Sequence, residues 1–503
     1  MSASLAMHAE KWIRETGWQR PAGAIEDRLV ELEAEHGAKI SKPERRRLLA
    51  LAAALGEPEP SLEETGIEEL LREPEPLIDG ESASSSDAKP DIETTLADVV
   101  EIFRRWLFLP DARPLLVVLG TVAANLLEGD PVWTLIVGTP GSGKSEILQA
   151  LGGLPNVHPV ATLTEPALLS GTTKKDRAAD SSGGLLRTIG AQGLILCKDF
   201  GSVLSMHRDG RAQVLAALRE IYDGSWTRHV GVDGGRALSW SGRVGLVAGC
   251  TPTIDRHHAV MGAMGERFIL FRLSAVDAPE QSRRALAHAG KETAMRSELA
   301  AAVGRLFAGG VPYQPRERTD ADDERLIGLA TLIVRCRSAV ERDGYTREIE
   351  LIPGAEAPTR LVVVLARLLA GLDAIGCPRD IGWQVVTKAA LDSIPEIRRD
   401  AIEVLYLSGL PVDTGSVAES LSYPTTTTRR ALEDLSAYGI ARCEHGGNGK
   451  ADRWSLSDFA LKLYSIARTV PETSEGMSSL FNSPFHAYDD KSGTVPESEG
   501  EAP

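Results

Sequence analysis

The chain has 503 residues, of which 43% are hydrophobic, and its formal net charge is −16. This length exceeds one ordinary hydrophobic core and favours two or three domains. The sequence has no uncharged apolar run of about 18 residues and no basic start leading into an apolar stretch, so a membrane-spanning or secreted protein is not expected. The five cysteines are scattered without a C-x-x-C pair. We therefore expect a cytoplasmic protein without disulfides or a cysteine zinc site.

Two segments carry most of the negative charge. Residues 57–90 hold 11 acidic and 2 basic side chains, and residues 470–503 hold 7 acidic and 1 basic. Both are rich in Pro, Ser, Glu and Gly, a composition typical of disorder. We predict a disordered acidic linker over 57–94 and a disordered acidic tail over 467–503. Residues 1–56 are helical in pattern and are predicted to form a small module that could dock a partner protein.

The main domain opens with apolar helices predicted over 96–107 and 113–127. From residue 131 to 273, strand-like runs alternate with helical ones, which is typical of an α/β sheet with crossover connections. The first strand leads into a glycine-rich run that fits the phosphate-loop pattern G-x-x-x-x-G-K-[ST]. The residues of this run are Gly138, Thr139, Pro140, Gly141, Ser142, Gly143, Lys144 and Ser145.

This run predicts a site for ATP and Mg²⁺. Glycines let the backbone turn its N–H groups toward phosphate oxygens, and the following helix adds a partial positive charge. Lys144 would reach the terminal phosphates, and Ser145 would ligate Mg²⁺. The alternative is a glycine-rich turn that binds nothing, but the flanking strand and helix favour the phosphate loop.

A second apolar run, Gly193 to Cys197, ends at Lys198-Asp199-Phe200. A buried strand that ends in an acid is the Walker B arrangement, so Asp199 is the candidate Mg²⁺ partner. Ring ATPases usually place a water-activating glutamate next, where this chain has Phe200. Either the base comes from elsewhere, for example Glu220, or Asp199 fills the glutamate position and Lys198 the metal position. The sequence leaves both open, together with an ordinary strand-end acid.

A β-hairpin is predicted around the turn Asp233-Gly234-Gly235. Cationic side chains beside aromatic ones suit a track for single-stranded nucleic acid. The alternative is a structural hairpin whose tryptophans belong to the core, and Lys174 and Lys175 could add a second basic element. The hairpin residues in question are Trp226, Arg228, His229, Arg236, Trp240 and Arg243.

Two further positions follow the hairpin. The buried strand Val244 to Gly249 ends near Thr251, which could hydrogen-bond the attacking water or the γ-phosphate, or could simply open a turn. Arg267 precedes an apolar strand and could stabilise transition-state charge at a neighbouring subunit's nucleotide. Arg272 is the alternative donor, or could pair with Glu266 as plain structure.

The order of these parts resembles the AAA+ ATPases that carry a hairpin before the sensor strand, over about residues 95–400. That group includes the minichromosome maintenance helicases and the bacterial enhancer-binding activators. The stretch Leu215 to Thr251 is similar to their helix, hairpin and sensor strand, and Gly265 to Leu273 to their arginine-finger segment. Ala357 to Leu361 resembles the second-sensor helix of the helicases and makes Arg360 the matching arginine. The activators' Gly-Ala-Phe-Thr-Gly-Ala loop and the helicases' zinc-bearing N-terminal domain are missing.

The resemblance implies a P-loop AAA+ core over 95–275, with a parallel sheet flanked by helices, and a helical lid over 276–394. It also implies a homo-oligomeric ring, by resemblance a hexamer. ATP would bind between subunits, with Arg267 and Arg360 donated by the neighbour and the hairpins facing the pore.

The segment 395–466 is predicted to be a winged helix, with helices over 396–407, 415–421 and 426–438 and a two-stranded wing. It could contact DNA or a protein, because residues 396–457 hold 7 basic and 9 acidic side chains, which is thin for DNA binding. The candidate contacts are Thr427, Thr428, Arg429, Arg430, Arg442, Lys450 and Arg453.

These predictions combine into one hypothesis and two rivals. The hypothesis is an ATP-dependent DNA motor, a replicative helicase or replication initiator of the kind a phage or mobile element could encode. It would act on single-stranded DNA, with a replication protein as a further partner through residues 1–56. One rival is a regulatory or helicase-loader ATPase that acts on a protein partner without unwinding. The other is a DNA-binding regulator in which the winged helix dominates.

Overall fold

A computed structural model of the protein describes residues 12, 28–32, 35, 94–170, 183–231, 236–258, 267–274, 277–447 and 451–468. The chain divides into two compact units, Met1–Lys89 and Pro90–Pro503. In the first unit, residues 28–32 are helical, and Arg28 donates hydrogen bonds of 2.8 Å to both Glu31 and Glu35. Most of the predicted module, linker and tail, and the pair Lys174 and Lys175, lie outside the described residues, so these predictions stay predictions.

The second unit opens with helices α1 (Leu96–Trp106) and α2 (Arg113–Leu126). A capping box starts α1: the Thr95 hydroxyl accepts from the Asp98 N–H, and the Asp98 carboxylate accepts from the Thr95 N–H. Helix α2 is apolar on nearly every side, and most of its residues are buried. The sequence therefore places α2 inside the domain and α1 at its surface.

A parallel five-stranded sheet forms the centre of this unit, in the order β2-β3-β6-β1-β7. Val137, the last residue of β1, is aligned with Cys250 of β6 and Arg272 of β7, so these strands end at one common edge. Strands β4 and β5 form a separate antiparallel hairpin. These seven strands in chain order are β1 (Trp133–Val137), β2 (Val157–Val160), β3 (Gln192–Cys197), β4 (Ser225–Val230), β5 (Arg236–Ser241), β6 (Arg243–Cys250) and β7 (Phe268–Arg272).

Helices cover both faces of the sheet. Alternate strand side chains point to opposite sides, so Ile136 joins the apolar cluster that contains α2, and Leu135 joins the other. The α/β fold with a parallel sheet flanked by helices is thereby confirmed. Within the sheet region the helices are α3 (Lys144–Gln149), α4 (Glu165–Leu168), α5 (Leu185–Ile189), α6 (Gly201–Leu204) and α7 (Arg208–Tyr222).

A mainly helical segment follows β7. Its fourth helix, α11, crosses α2 so closely that a Cβ at Gly371 would lie 2.2 Å from the carbonyl oxygen of Gly120. The predicted lid span is therefore helical and packed on the sheet domain, while its action as a lid stays a prediction. The elements are α8 (Ala278–Ala287), α9 (Glu292–Leu306), α10 (Asp320–Arg337), β8 (Glu341–Arg342), β9 (Ile349–Leu351), α11 (Thr359–Ala374) and α12 (Arg379–Asp392).

The last described segment combines helices with a small antiparallel sheet of order β10-β12-β11. The helices and hairpin come in the predicted order, with β10 as an addition; the winged-helix assignment stays a prediction. Among the described helices, none is long and apolar enough to cross a bilayer. The elements are α13 (Glu396–Ser408), β10 (Val412–Asp413), α14 (Thr414–Leu421), α15 (Thr425–Ala437), β11 (Ala441–Glu444), β12 (Arg453–Leu456) and α16 (Asp458–Arg468).

Candidate active site

The glycine-rich run connects β1 to α3 at the carboxyl edge of the sheet. Gly141 and Gly143 adopt φ angles of 80° and 81°, a left-handed conformation that suits glycine and lets the chain curl before α3. The Lys144 ammonium donates a 2.9 Å hydrogen bond to the carbonyl oxygen of Thr139, in the same loop. The hydroxyl of Ser142 is buried and has no hydrogen-bond partner among the described residues. The loop thus holds a polar atom that a bound phosphate could satisfy.

Asp199 lies just beyond β3 at the same edge. Its carboxylate accepts a 2.9 Å hydrogen bond from the Gly201 N–H. Lys198 and Asp199 are exposed, whereas Phe200 is fully buried and its ring packs 5.3 Å from that of Phe268. The position where ring ATPases carry a glutamate therefore points into the core. Both interpretations of Asp199 stay open.

Lys144 and Asp199 lie close enough for their charges to interact. Partial burial lowers the pKa of Lys144, and the Asp199 carboxylate offsets part of this effect. Burial raises the pKa of Cys250, at the end of β6, to about 11, and Asp199 and Lys144 both influence it. A hydroxyl from Ser145 and a carboxylate from Asp199 are hard oxygen donors of the kind Mg²⁺ accepts. The residues present therefore fit ATP with Mg²⁺.

Thr251 follows Cys250 directly. The Cys250 carbonyl accepts a 3.0 Å hydrogen bond from the N–H of Gly138, the first residue of the loop. The Thr251 hydroxyl lies 2.6 Å from the hydroxyl of Thr253. The predicted sensor residue is thus brought to the edge that holds the phosphate loop, and its role there stays a prediction.

Helices α8 and α9 hold the loop from one side. The Gln281 side-chain amide donates to the Gly141 carbonyl at 3.0 Å. The Arg296 guanidinium donates to both oxygens of Glu146, in α3, at 3.0 and 2.9 Å. Sequence reasoning missed these contacts because the partners lie some 140 to 150 positions apart and no local pattern links them.

Arg272, at the carboxyl edge, is fixed inside the chain. The Arg272 guanidinium makes two parallel hydrogen bonds of 2.7 and 2.8 Å to Asp255. The backbone N–H of Arg272 donates to the Asp392 carboxylate at 2.7 Å. Burial acts to raise the pKa of Asp392, but contacts with Lys388 at 2.7 Å and Arg399 at 2.9 Å hold it below its usual range. Arg272 therefore joins the turn after β6 to the start of the C-terminal segment. Its expected partner, Glu266, lies outside the described residues.

Arg267 lies at the opposite, amino edge of the sheet. Its side chain is only 5% exposed, and one guanidinium nitrogen donates to both oxygens of Asp223, at 2.9 and 2.7 Å. The guanidinium carbon is 5.4 Å from the ring centre of Tyr222, which itself packs 5.2 Å from Trp133, the first residue of β1. The phosphate loop follows Val137, about 13 Å further along the strand. Arg267 therefore cannot serve the nucleotide of its own subunit, and reaching a neighbour's requires breaking its ion pair.

Arg360 is on the same side as Arg267. It starts α11, its side chain is 40% exposed, and it lies 3.6 Å from Glu356. Burial raises the pKa of Tyr222 to about 12, while the charges of Arg360 and Arg267 act to lower it, so both arginines lie near that ring. Glu220, the other candidate base, lies two residues before Tyr222 in α7 and is exposed.

Two of the three hairpin arginines bind within the protein. Arg228 donates to Glu165 at 2.7 Å and to the Leu169 carbonyl at 2.8 Å. Arg243 donates to the carbonyls of Asn125 at 3.0 Å and Gly129 at 2.9 Å, at the end of α2, and also to that of Leu127. Both therefore have structural partners, which the proposed role in nucleic-acid binding did not foresee.

Arg236 differs from these two arginines. It opens β5, where it is aligned with Val230 of β4, beside residues 232–235, which lie outside the described part. Its side chain has no hydrogen bond or ion pair to a described residue. Trp226 and Trp240 are only 8% and 7% exposed, and the Trp240 indole donates to the Gly190 carbonyl at 2.7 Å. The tryptophans are therefore core residues, the structural alternative, and are not available for base stacking.

Some of the residues predicted to contact DNA or a protein in the C-terminal segment also have partners within the protein. Arg429 donates to Glu433 and to Asp452, both at 3.1 Å, and Arg442 to Asp458 at 2.7 Å. Thr428 is fully buried. The others are distributed as follows: Thr427, Arg430 and Arg453 are exposed, and Lys450 lies outside the described residues.

Comparisons with known proteins add little. No known protein family matches the sequence, and no curated protein does. A crystal structure of a provisionally named ATPase from Cytophaga hutchinsonii ATCC 33406 is similar at 12% identity and a TM-score of 0.33, over 59% of this chain and 85% of that one. At this level the likeness supports no conclusion about the present chain.

Proposed function

We propose that the protein is an ATPase of the AAA+ class that binds ATP with Mg²⁺ at the carboxyl edge of its parallel sheet. One observation carries this proposal: the phosphate-loop motif lies between β1 and α3 with its glycines in the left-handed conformation. Asp199 and Thr251 follow the neighbouring strands at the same edge. This crevice is where open α/β sheets bind their ligands.

Each residue then has a defined role. The loop N–H groups and Lys144 would hold the β- and γ-phosphates, and Ser145 and Asp199 would hold Mg²⁺, which would supply positive charge beside the phosphates. Thr251 orients the attacking water. Residue 200 is a buried phenylalanine, so no glutamate directly follows Asp199 to activate that water. We therefore expect slow turnover, or a base supplied from another subunit.

The arginines support a site completed by a neighbouring subunit. Arg267 and Arg360 both lie near Tyr222 at the amino edge, away from the loop of their own subunit. Asp223, which holds Arg267, is about half exposed, so the ion pair lies at the surface, where a neighbour could displace it. A closed ring, by resemblance a hexamer, would repeat this head-to-tail contact. Light scattering with and without ATP tests the ring.

For the action of the ring, we propose that the hairpins, which would face the pore, move single-stranded nucleic acid through it. Arg236 is the residue that supports this, because its charge has no described partner. A regulatory or loader ATPase acting on a protein is the second candidate. It is favoured by the buried Phe200 and by the structural partners of Arg228 and Arg243.

One experiment separates the two candidates. The ATPase rate is measured with and without a single-stranded oligonucleotide for the parent protein, for Arg236→Ala and for Arg318→Ala, an exposed arginine outside the hairpin. The motor predicts stimulation by DNA that is lost in Arg236→Ala and kept in Arg318→Ala. A rate that DNA does not change in the parent protein would favour the regulatory candidate.

A further inference from the structure

Three potential metal ligands converge where the β11–β12 hairpin meets its connecting loop. Cys443 lies in β11 opposite Trp454, His445 follows β11, and Asp452 directly precedes β12. The Cys443 sulfur is 3.8 Å from Nδ1 of His445, and that nitrogen is 3.2 Å from Oδ1 of Asp452. All three ligand atoms lie within 4.8 Å of one another.

We propose that Cys443, His445 and Asp452 form a zinc-binding site. Tetrahedral zinc with bonds of about 2.0–2.3 Å places neighbouring ligand atoms roughly 3.3–3.6 Å apart. The two distances above match this spacing within a few tenths of an ångström. Small shifts of side chains on an exposed hairpin would complete the geometry.

The ligand chemistry points to zinc among the divalent cations. A thiolate, an imidazole and a carboxylate together suit a borderline-soft ion, whereas Mg²⁺ and Ca²⁺ require oxygen donors. The expectation that this chain has no cysteine zinc site depended on the absence of a C-x-x-C pair. The ligands here are instead a C-x-H sequence at the end of β11 and an Asp seven positions after the His, which the hairpin brings together.

A neighbouring side chain orients the carboxylate. Arg429, in α15, donates to Oδ2 of Asp452 at 3.1 Å, which leaves Oδ1 directed at His445. Ligating carboxylates are commonly held by such a second hydrogen bond. Glu433, 3.1 Å from Arg429, offsets the charge that this arginine brings near the cation.

A simple hydrogen bond accounts for only part of this arrangement. The His445 Nδ1 offers either one proton or one lone pair, and a hydrogen bond to Asp452 uses it. Cys443 then remains beside the same nitrogen without a role. A metal ion uses all three groups at once and leaves a fourth position for water or a partner's ligand. Binding would fix the hairpin end to α15, on the surface that carries Arg429 and Arg430.

The thiol itself provides a selective readout. The other four cysteines, Cys197, Cys250, Cys336 and Cys377, are buried, and Cys443 is half-buried. A thiol reagent such as 5,5′-dithiobis(2-nitrobenzoate) should therefore modify one cysteine of the native full-length protein rapidly. One equivalent of Zn²⁺ should slow that reaction at least tenfold. Cys443→Ser should remove the rapid phase altogether.

Co²⁺ substitution tests the coordination. Titration of the parent protein should give a thiolate-to-cobalt absorption band and the intense visible bands of a four-coordinate ion. Cys443→Ser should lose the charge-transfer band, and Asp452→Asn should weaken binding on the order of 100-fold. The control Asp458→Asn removes an exposed carboxylate near the hairpin that is not a ligand, and should bind as the parent does.

Two results would overturn the proposal: modification of Cys443 at the same rate with and without Zn²⁺, or Co²⁺ spectra without a thiolate band. Zn²⁺ bound by histidines elsewhere in the chain would not protect Cys443. The thiol assay therefore distinguishes such binding from binding at the proposed site. If Cys443→Ser fails to fold, the protection assay on Asp452→Asn decides, because that variant should lose most of the protection.

Discussion

The candidate catalytic side chains at the two edges of the parallel sheet, Lys144 and Asp199 at one and Arg267 at the other, are held in different ways. At the carboxyl edge, Lys144 and Asp199 each bond, among the described residues, to a backbone group of their own loop. At the amino edge, Arg267 is buried and bonded to both oxygens of a carboxylate. A ligand can replace a single hydrogen bond at little cost, whereas a charge-assisted pair resists replacement. Lys144 and Asp199 are thus ready for a ligand, whereas Arg267 at the amino edge is held, as Arg272 is at the carboxyl edge, by a carboxylate of its own chain.

This difference suggests how a ring could couple binding to assembly. Nucleotide can occupy the loop of one subunit first. Under the proposed function, the neighbour's Arg267 would then reach the γ-phosphate only when the interface offers a stronger partner than Asp223. Because Asp223 is half exposed, contact with a neighbour can weaken this pair without disturbing the core.

The largest effect is expected for Arg267→Ala. An arginine that stabilises phosphoryl transfer contributes about 10³-fold or more to kcat, so ATP hydrolysis should fall by that order. Asp223→Ala releases the guanidinium and should keep or raise activity. Phosphate release measures both variants, and a urea denaturation curve separates a catalytic from a merely structural loss.

Mixing variants gives a sharper version. Arg267→Ala subunits keep Lys144, and Lys144→Ala subunits keep Arg267, so each inactive protein supplies what the other lacks. In a randomly mixed ring about a quarter of the interfaces are complete, and activity should return to about that fraction. A mixture that stays inactive would contradict a shared site.

Lys144→Ala tests the carboxyl edge by itself. Loss of a charged donor to the transferring phosphate costs about 10²–10³-fold in rate, and nucleotide binding should weaken as well. Lys198→Ala is the matched control, because Lys198 is an exposed lysine at the same edge. A comparable loss in both variants would favour the interpretation in which Lys198 occupies the metal position. An active Lys144→Ala protein would end the ATPase proposal.

The contrast between the edges also explains what the sequence could predict. The phosphate loop has fixed residues at fixed spacing, and the apolar runs before it and before Asp199 are continuous, so strands β1, β3 and β6 and the turn after β1 were predictable. These features are local in the chain. Strand β10 has two residues, too few for any pattern, and was missed.

Pairing over long distances leaves no such trace. Nothing near Arg243 indicates that its partners are carbonyls at the end of α2, more than 110 positions earlier. Arg228 and Arg272 also have hydrogen-bond partners that lie far from them in the sequence. A hairpin rich in arginine therefore resembles a nucleic-acid track in sequence whether its charges are available or used within the fold.

The hairpin arginines give the next prediction. Arg243→Ala leaves the carbonyls at the end of α2 without their donor and should lower the free energy of unfolding by about 1.5–3 kcal/mol. Arg236→Ala removes a side chain without a described partner and should change it by less than about 0.5 kcal/mol. Urea denaturation measures both. Equal losses would mean that Arg236 also has a structural partner.

The smallest effect concerns pH at the carboxyl edge. Burial, with Arg398 nearby, lowers the pKa of His258 from 6.5 to about 4, although its ring nitrogen is 2.6 Å from the Arg337 carbonyl. The fold therefore prefers the neutral ring. The stability this provides is present above pH 6.5 and is lost as pH falls toward 4.

Between pH 7 and 5.5 the expected loss is roughly 1 kcal/mol, because the unfolded chain takes up the proton first. Urea midpoints across this range measure it. His258→Gln keeps a donor for the Arg337 carbonyl but cannot titrate, so its midpoint should fall less than that of the parent, while the neighbouring His257→Gln should follow the parent. If the urea midpoints of all three proteins fell equally with pH, protonation of His258 would not limit stability. The fold would then accept a positive charge at His258, as it accepts the buried charge of Arg267.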